Sequence, residues 1–207
     1  AGFCGVTGFR PSPGLVPATE ASVGLNPFSV QGPMGRNVSD TYLLLQAQVN
    51  LNRTDPFSSL DSLSMPDELL GADLSGIKMA FSSDLGCAPV DNDIKSTFFK
   101  KIETFKNNFL KADQGEPDFL DIHSCFEVIR GFNYVASHKD KLDNYRDLLG
   151  PNVIDNVERG LKYSLADVSS AHVMQTKIYK NFRNFFNEYD VLICPAASVS
   201  PYPHEQL

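Results

Sequence analysis

The sequence of 207 residues has no apolar run approaching the roughly 20 residues needed to span a bilayer. Its longest apolar stretches, such as 190–197, are short and stop at prolines, so they read as buried strands and exclude a membrane-spanning helix. Basic charge is not in excess: 18 Lys and Arg stand against 25 Asp and Glu, a formal net charge of −7. Such a chain presents no field for nucleic acid or anionic lipid. Cysteine is scarce, with four residues (Cys4, Cys87, Cys125 and Cys194) and no CxxC pair. That excludes a zinc ribbon, a thioredoxin-type site and a disulfide framework. The four are read as reduced core thiols, which points to a cytoplasmic setting. Without a GxSxG elbow an α/β-hydrolase reading has no nucleophile. Without a GxxxxGK[ST] or a GxGxxG after a strand, a phosphate cradle is unsupported. Initiator Met, basic n-region and apolar h-region are also missing, and 203–207 carries no terminating feature. The chain is therefore expected to be an internal piece with segments missing on both sides.

What is present is ordinary globular material, 42% hydrophobic and 21% charged. Residues 1–36 alternate short apolar runs with Gly and Pro, which suits short strands joined by tight loops. Val38, Tyr42, Leu45 and Val49 then fall on one helical face. Asn37 is the expected N-cap and Asp40 stands in the first turn, so a helix is predicted over 38–50. Residues 52–76 are polar and read as a surface excursion. Residues 77–81 form a strand entering a turn at Ser82-Ser83-Asp84. Ile94, Phe98, Ile102, Phe105 and Phe109 recur every three or four residues opposite a lysine face, predicting a helix over 92–111. Further helices run to about Gly160 with an interruption at Gly150-Pro151. Ser164 with Asp167 forms a capping box for a last helix over 165–189, and 190–194 closes the chain as a strand. The expected fold class is α/β. A sheet holding 3–9, 77–81 and 190–194 is covered by helices, with a helical insertion between its last two strands.

Few residues suggest chemistry. His123 and Cys125 stand two apart with no second ligand pair at zinc spacing, so no metal is expected. His138, His172 and His204 are scattered without a local acid–base partner. Lys78, Ser82 and Ser83 form the one close Lys/Ser group, at a spacing that matches no nucleophile arrangement. Asn37-Val38-Ser39 and Asn52-Arg53-Thr54 match the glycosylation sequon, without meaning in a cytoplasmic chain.

Four segments together carry a resemblance. Residues 3–12, FCGVTGFRPS, resemble the FCGVVGLKPT stretch of the amidase-signature family. Residues 32–40, GPMGRNVSD, resemble its GPMAR-[ST]-V-x-D, followed as there by Leu43-Leu44-Leu45. Residues 190–195 resemble the late YDVLLxPT segment, and 77–86 are similar to the RIAFSPDLG strand and turn of many bacterial members. The likeness runs from residue 1 to about 89 and again over 163–207.

The resemblance implies a twisted mixed sheet flanked by helices and an amide hydrolase working through a Lys–Ser–Ser relay. It also implies that the relay and its oxyanion loop precede the FCG motif. No residue of this chain then inherits a catalytic role, and none is expected to bind a cofactor. Gly5 and Gly8 are expected to allow close backbone approach, and Arg36 and Asp40 to shape the start of the first helix. The expected organisation is one partial domain: core strands and helix over 1–90, a helical substrate-side block over 91–163, and a core helix and strand over 164–207. Phe126, Phe132 and Tyr134 are candidate pocket walls in the block. The implied partner is a small-molecule amide, with no direct nucleic-acid contact, no membrane, and a homodimer allowed. A glutaminase subunit of a glutamyl-tRNA amidotransferase and a non-catalytic amidase-like scaffold are the alternative readings.

Overall fold

The computed structural model describes residues 1–18, 22–58 and 65–203. It divides into two compact units, 1–72 with 200–207, and 73–199. Residues 59–64 of the polar stretch, and His204, lie outside the described residues.

In the first unit a 3-10 turn over Gly2–Cys4 ends at Gly5, whose φ of 61° is left-handed. Strand β1 (Thr7–Gly8) then pairs antiparallel with β2 (Met34–Gly35). This corrects two expectations. Residues 3–9 open as a helical turn and not as strand. Their short strand also joins no sheet with 77–81 and 190–194, because its ladder partner is β2. The Gly- and Pro-rich composition leaves only two residues on each side free to pair. Helix α1 (Val38–Gln48) starts as the sequence predicts, with Asn37 Oδ1 accepting the Asp40 N–H at 2.8 Å. It buries Thr41 and Leu45. Tyr42 and Val49 are half-buried, and Val38 is exposed. Asp55 is buried as well, accepting the N–H groups of Ala18 and Phe57 at 2.8 Å each.

The second unit is built on β3 (Lys78–Phe81), whose Met79 and Ala80 are fully buried. Apolar residues on both faces are the mark of a central parallel strand. Helix α2 (Asn92–Phe105) follows. Its stripe lies as the periodicity predicts, with Ile102 buried and Ile94, Phe98 and Phe105 half-buried. The helix ends six residues before the expected 111, and Lys111–Gln114 instead forms β4, parallel to β3. This strand escaped sequence reading because it is a polar edge. Lys111 bridges Asp113 at 2.7 Å and Glu188 at 3.1 Å, and the Tyr189 hydroxyl donates to Asp113 at 3.0 Å.

Helices α3 (Ile122–Tyr145), α4 (Pro151–Gly160) and α5 (Leu165–Phe185) come next, before β5 (Val191–Ile193) pairs with β3 from its other side. The sheet order is β4-β3-β5, all parallel. Pro151 at the first position of α4 explains the interruption, and Ser164 with Asp167 completes the capping box of α5. Helix α5 ends at Phe185, four residues short of the expected end, where Phe185 stacks on Tyr189 at 4.9 Å. Phe119, Cys125, Ile129, Ala171 and Ile178 form the core between α3 and α5. The α/β class is thus observed. No helix among the described residues is long and apolar enough to cross a membrane.

Candidate functional site

Helix α3 starts where the chain leaves the carboxyl end of β4, with Asp121 accepting the Ser124 N–H. From there His123, Phe126, Glu127, Arg130 and Gly131 follow at i, i+3, i+4, i+7 and i+8, one face of the helix. Helix α4 folds back against that face and brings Asn156 and Arg159, with Tyr163 just beyond its end. Two glycines set the approach: a Cβ on Gly131 would lie 2.9 Å from Gly160 Cα. Beside this crossing the two helices enclose a cavity of about 260 Å³ lined by the residues just named.

The cavity is electrostatically uneven. Arg159 is engaged by Asp155 at 3.2 Å and by Glu127 at 4.0 Å. Arg130 instead lies over the rings of Phe126 and Tyr134, 5.9 and 5.3 Å from their centroids, and pairs with no carboxylate among the described residues. Asn156 is buried and donates to the Asn152 carbonyl at 2.7 Å. His123 Nε2 stands 2.9 Å from the Cys87 carbonyl oxygen. A carbonyl only accepts, so Nε2 carries the proton.

That last contact joins the cavity to the loop after β3, at the carboxyl ends of the parallel strands, where α/β sheets hold their ligands. The loop is tightly tied. Ser82 Oγ accepts the Leu85 N–H at 2.9 Å, and Leu85 and Gly86 are both left-handed, with φ of 56° and 65°. Asp84 pairs with Lys95 and accepts the Gly86 N–H, and chiefly the lysine holds its carboxyl below the usual carboxylate range. Burial pushes the Cys87 thiol up, so it is not an activated nucleophile.

Of the three aromatic residues expected as pocket walls, Phe126 lines the cavity. Phe132 instead meets the His172 ring edge-on at 6.5 Å, and Tyr134 packs on His138 at 5.4 Å. Lys78 and Ser82 stand at opposite ends of β3, and the Ser82 hydroxyl is occupied by a turn. His123 and Cys125 diverge: the histidine faces the loop, while the buried Cys125 thiol donates to the Ala171 carbonyl at 3.3 Å. Among the described residues no group of three or more His, Cys, Asp and Glu is placed to hold a metal. The expectation of core thiols holds for Cys125 alone; Cys87 is half-buried, and Cys4, at the end of the opening 3-10 turn, and Cys194, just after β5, are exposed.

Arg36 Nε donates to Asp40 at 2.8 Å at the start of α1. Gly8 does permit close approach, because a Cβ there would lie 2.7 Å from Ala1 Cβ. Gly5 has open space around it, so its left-handed φ is what calls for glycine. Sequence reading passed over Arg130, Asn156, Arg159 and Tyr163. The available signal was the i, i+3, i+4, i+7 face of α3, charged and aromatic rather than aliphatic, followed by the break at Gly150-Pro151, which turns α4 back onto it.

Comparison with known proteins decides the family. A family model described as Amidase matches residues 1–207. The chain belongs to the amidase family. It is 24% identical to an acylamidase of Rhodococcus erythropolis over 99% of this chain and 43% of that protein. It is also 24% identical to a glutamyl-tRNA(Gln) amidotransferase subunit of Staphylococcus epidermidis, over 98% of this chain and 47% of that one. Its fold is that of a bacterial aryl acylamidase of the amidase-signature enzymes, with a TM-score of 0.79 at 19% identity, covering 98% of this chain and 44% of that structure. The corresponding glutamyl-tRNA(Gln) amidotransferase subunit of Thermotoga maritima matches with a TM-score of 0.68 at 18% identity, over 100% and 45%. The chain thus spans less than half the length of these amidase-family relatives.

Proposed function

We propose that this amidase-family chain is part of an enzyme that hydrolyses a carboxamide C–N bond, through a serine–serine–lysine relay whose reacting groups lie outside these residues. The family match over 1–207 carries the reading. It is supported by what the chain's own hydroxyls and amines do. A serine attacks an amide only with a hydrogen-bonded base beside it. Ser82 is engaged by the Leu85 N–H, and Lys78 stands at the far end of the strand. The chain then forms one partial domain whose strands and flanking helices, 1–90 and 164–207, are core. Its block 91–163 walls the substrate side, with Phe126 at the cavity. The partner is a small-molecule amide, the setting cytoplasmic.

The glutaminase component of an amidotransferase is a second reading, favoured by the likeness to several staphylococcal amidotransferase subunits. The net charge of −7 then leaves contact with tRNA to a partner protein.

Release of ammonia or amine from a panel of simple amides tests both readings. Turnover by the full-length protein and none by residues 1–207 alone is expected, because catalysis without nucleophile and base falls to a residue. Turnover of glutamine only in the presence of a partner protein selects the second reading. A silent full-length protein that contains the lysine and both serines selects a non-catalytic scaffold. Exchanging 91–163 for the corresponding block of a relative is expected to change amide preference; unchanged preference removes the block from the substrate side.

A further inference from the structure

The cavity between α3 and α4 has a chemistry that selects among ligands. Its deep wall is Gly131 and Asn156, both buried, while Arg130 is exposed at its entrance. Two aromatic residues, Phe126 and Tyr163, stand on its sides. A volume of about 260 Å³ lies just below the range of sites for drug-sized molecules, which suits a single ring with short substituents.

The two ends differ in what they ask of a ligand. At the entrance, Arg130 is stacked on Phe126 and Tyr134, which restrains the plane of its guanidinium while its N–H donors meet no carboxylate among the described residues. A planar fork held in place is matched by a carboxylate. The neighbouring Arg159 does not compete for that role, being engaged by Asp155 and Glu127. At the deep end, one N–H of the Asn156 amide donates to the Asn152 carbonyl, and its Oδ1 accepts no hydrogen bond from the described residues. Asn156 lines the cavity, and its side-chain amide oxygen is an acceptor for an N–H or O–H donor there.

We propose that this cavity binds an aromatic carboxylate bearing a hydrogen-bond donor at the opposite end of its ring, with Arg130 gripping the carboxylate and Asn156 accepting from the donor. The inference rests on the amidase reading only for calling that ligand a substrate or product; the binding itself stands on the cavity. Glu127 is the opposing charge in the lining, and it moderates the attraction for the anion.

Calorimetric titration of the full-length protein with 4-hydroxybenzoate tests the proposal, with 4-hydroxyacetophenone as the uncharged isostere and benzoate as the ligand without the donor. Saturable binding of 4-hydroxybenzoate is expected, tighter than either comparison ligand and weakened by added salt. Arg130→Gln is expected to weaken it about tenfold, the effect of losing one charge-assisted pair. Arg130→Lys should restore part of that loss, and Glu127→Gln should tighten binding about two- to threefold. Both changed side chains are exposed, and matching thermal midpoints confirm that the variants fold. Equal affinity of wild type and Arg130→Gln, or equal affinity for the carboxylate and the ketone, overturns the assignment. Because binding is read without turnover, a protein that binds 4-hydroxybenzoate in this Arg130-dependent way supports the inference even if it cleaves no amide.

Discussion

Gly131 of α3 and Gly160 of α4 meet backbone to backbone: a Cβ on Gly160 would lie 2.4 Å from the Gly131 carbonyl oxygen. This contact sets how closely the two helices approach, and with it the width of the cavity beside them. Gly160→Ala is expected to force the helices apart and to destabilise the protein by about 1–3 kcal/mol, the usual effect of overpacking. Urea denaturation measures it. A change smaller than the error of the midpoint would show that the crossing is loose.

Ser82 belongs to the one close Lys/Ser group in the sequence, and in the structure its hydroxyl oxygen holds a turn. Ser82→Ala removes the acceptor for the Leu85 N–H beside two consecutive left-handed residues, and should cost about 1–3 kcal/mol. Under the proposed amidase function, the full-length protein carrying it should keep its amide turnover per folded molecule. A fully folded variant with abolished turnover would move the chemistry into this chain.

The capping box at α5 offers a cleaner test of local helix chemistry. Ser164→Ala should lower stability by about 1 kcal/mol, and Ser164→Thr by much less. Thermal melts of the two variants, compared at neutral pH, decide it.

The β4 edge carries a pH signature. Lys111, and after it the Tyr189 hydroxyl, hold the Asp113 carboxyl below its ordinary range. A depressed carboxyl contributes stability above its unfolded value and loses it as pH falls through the folded one. Asp113 first, and then Glu188, raise Lys111, whose contribution is complete below its ordinary range and fades as pH rises above it. Asp113→Asn is therefore expected to flatten both the acid and the alkaline limbs of the stability profile. An unchanged acid limb would show that the bridge is fully screened.

What the local sequence could announce, it did. Asn37 and Ser164 mark helix starts because a side-chain oxygen meets an N–H two or three residues ahead, and no distant residue is needed. The apolar stripe of α2 and the buried strand 77–81 follow for the same reason, since periodicity is a local property. Ranges at helix ends were less legible. The α2 stripe continues through Phe109, but the backbone leaves the helix at Phe105 because a sheet edge is available to residues 111–114.

The sequence by itself determined the α/β class, most helix positions and, through its FCG and GPM segments, the family. Only the tertiary structure decided that 7–8 pairs with 34–35, that the polar segment 111–114 is a strand, and that Arg130 and Asn156 share a cavity. The physical reason is common to all three. Strand pairing and pocket chemistry depend on which distant backbone offers a hydrogen bond or a gap. Here the close approach of α3 and α4, which bare backbone at Gly131 and Gly160 permits, is what gathers polar and aromatic side chains from both helices around one small space.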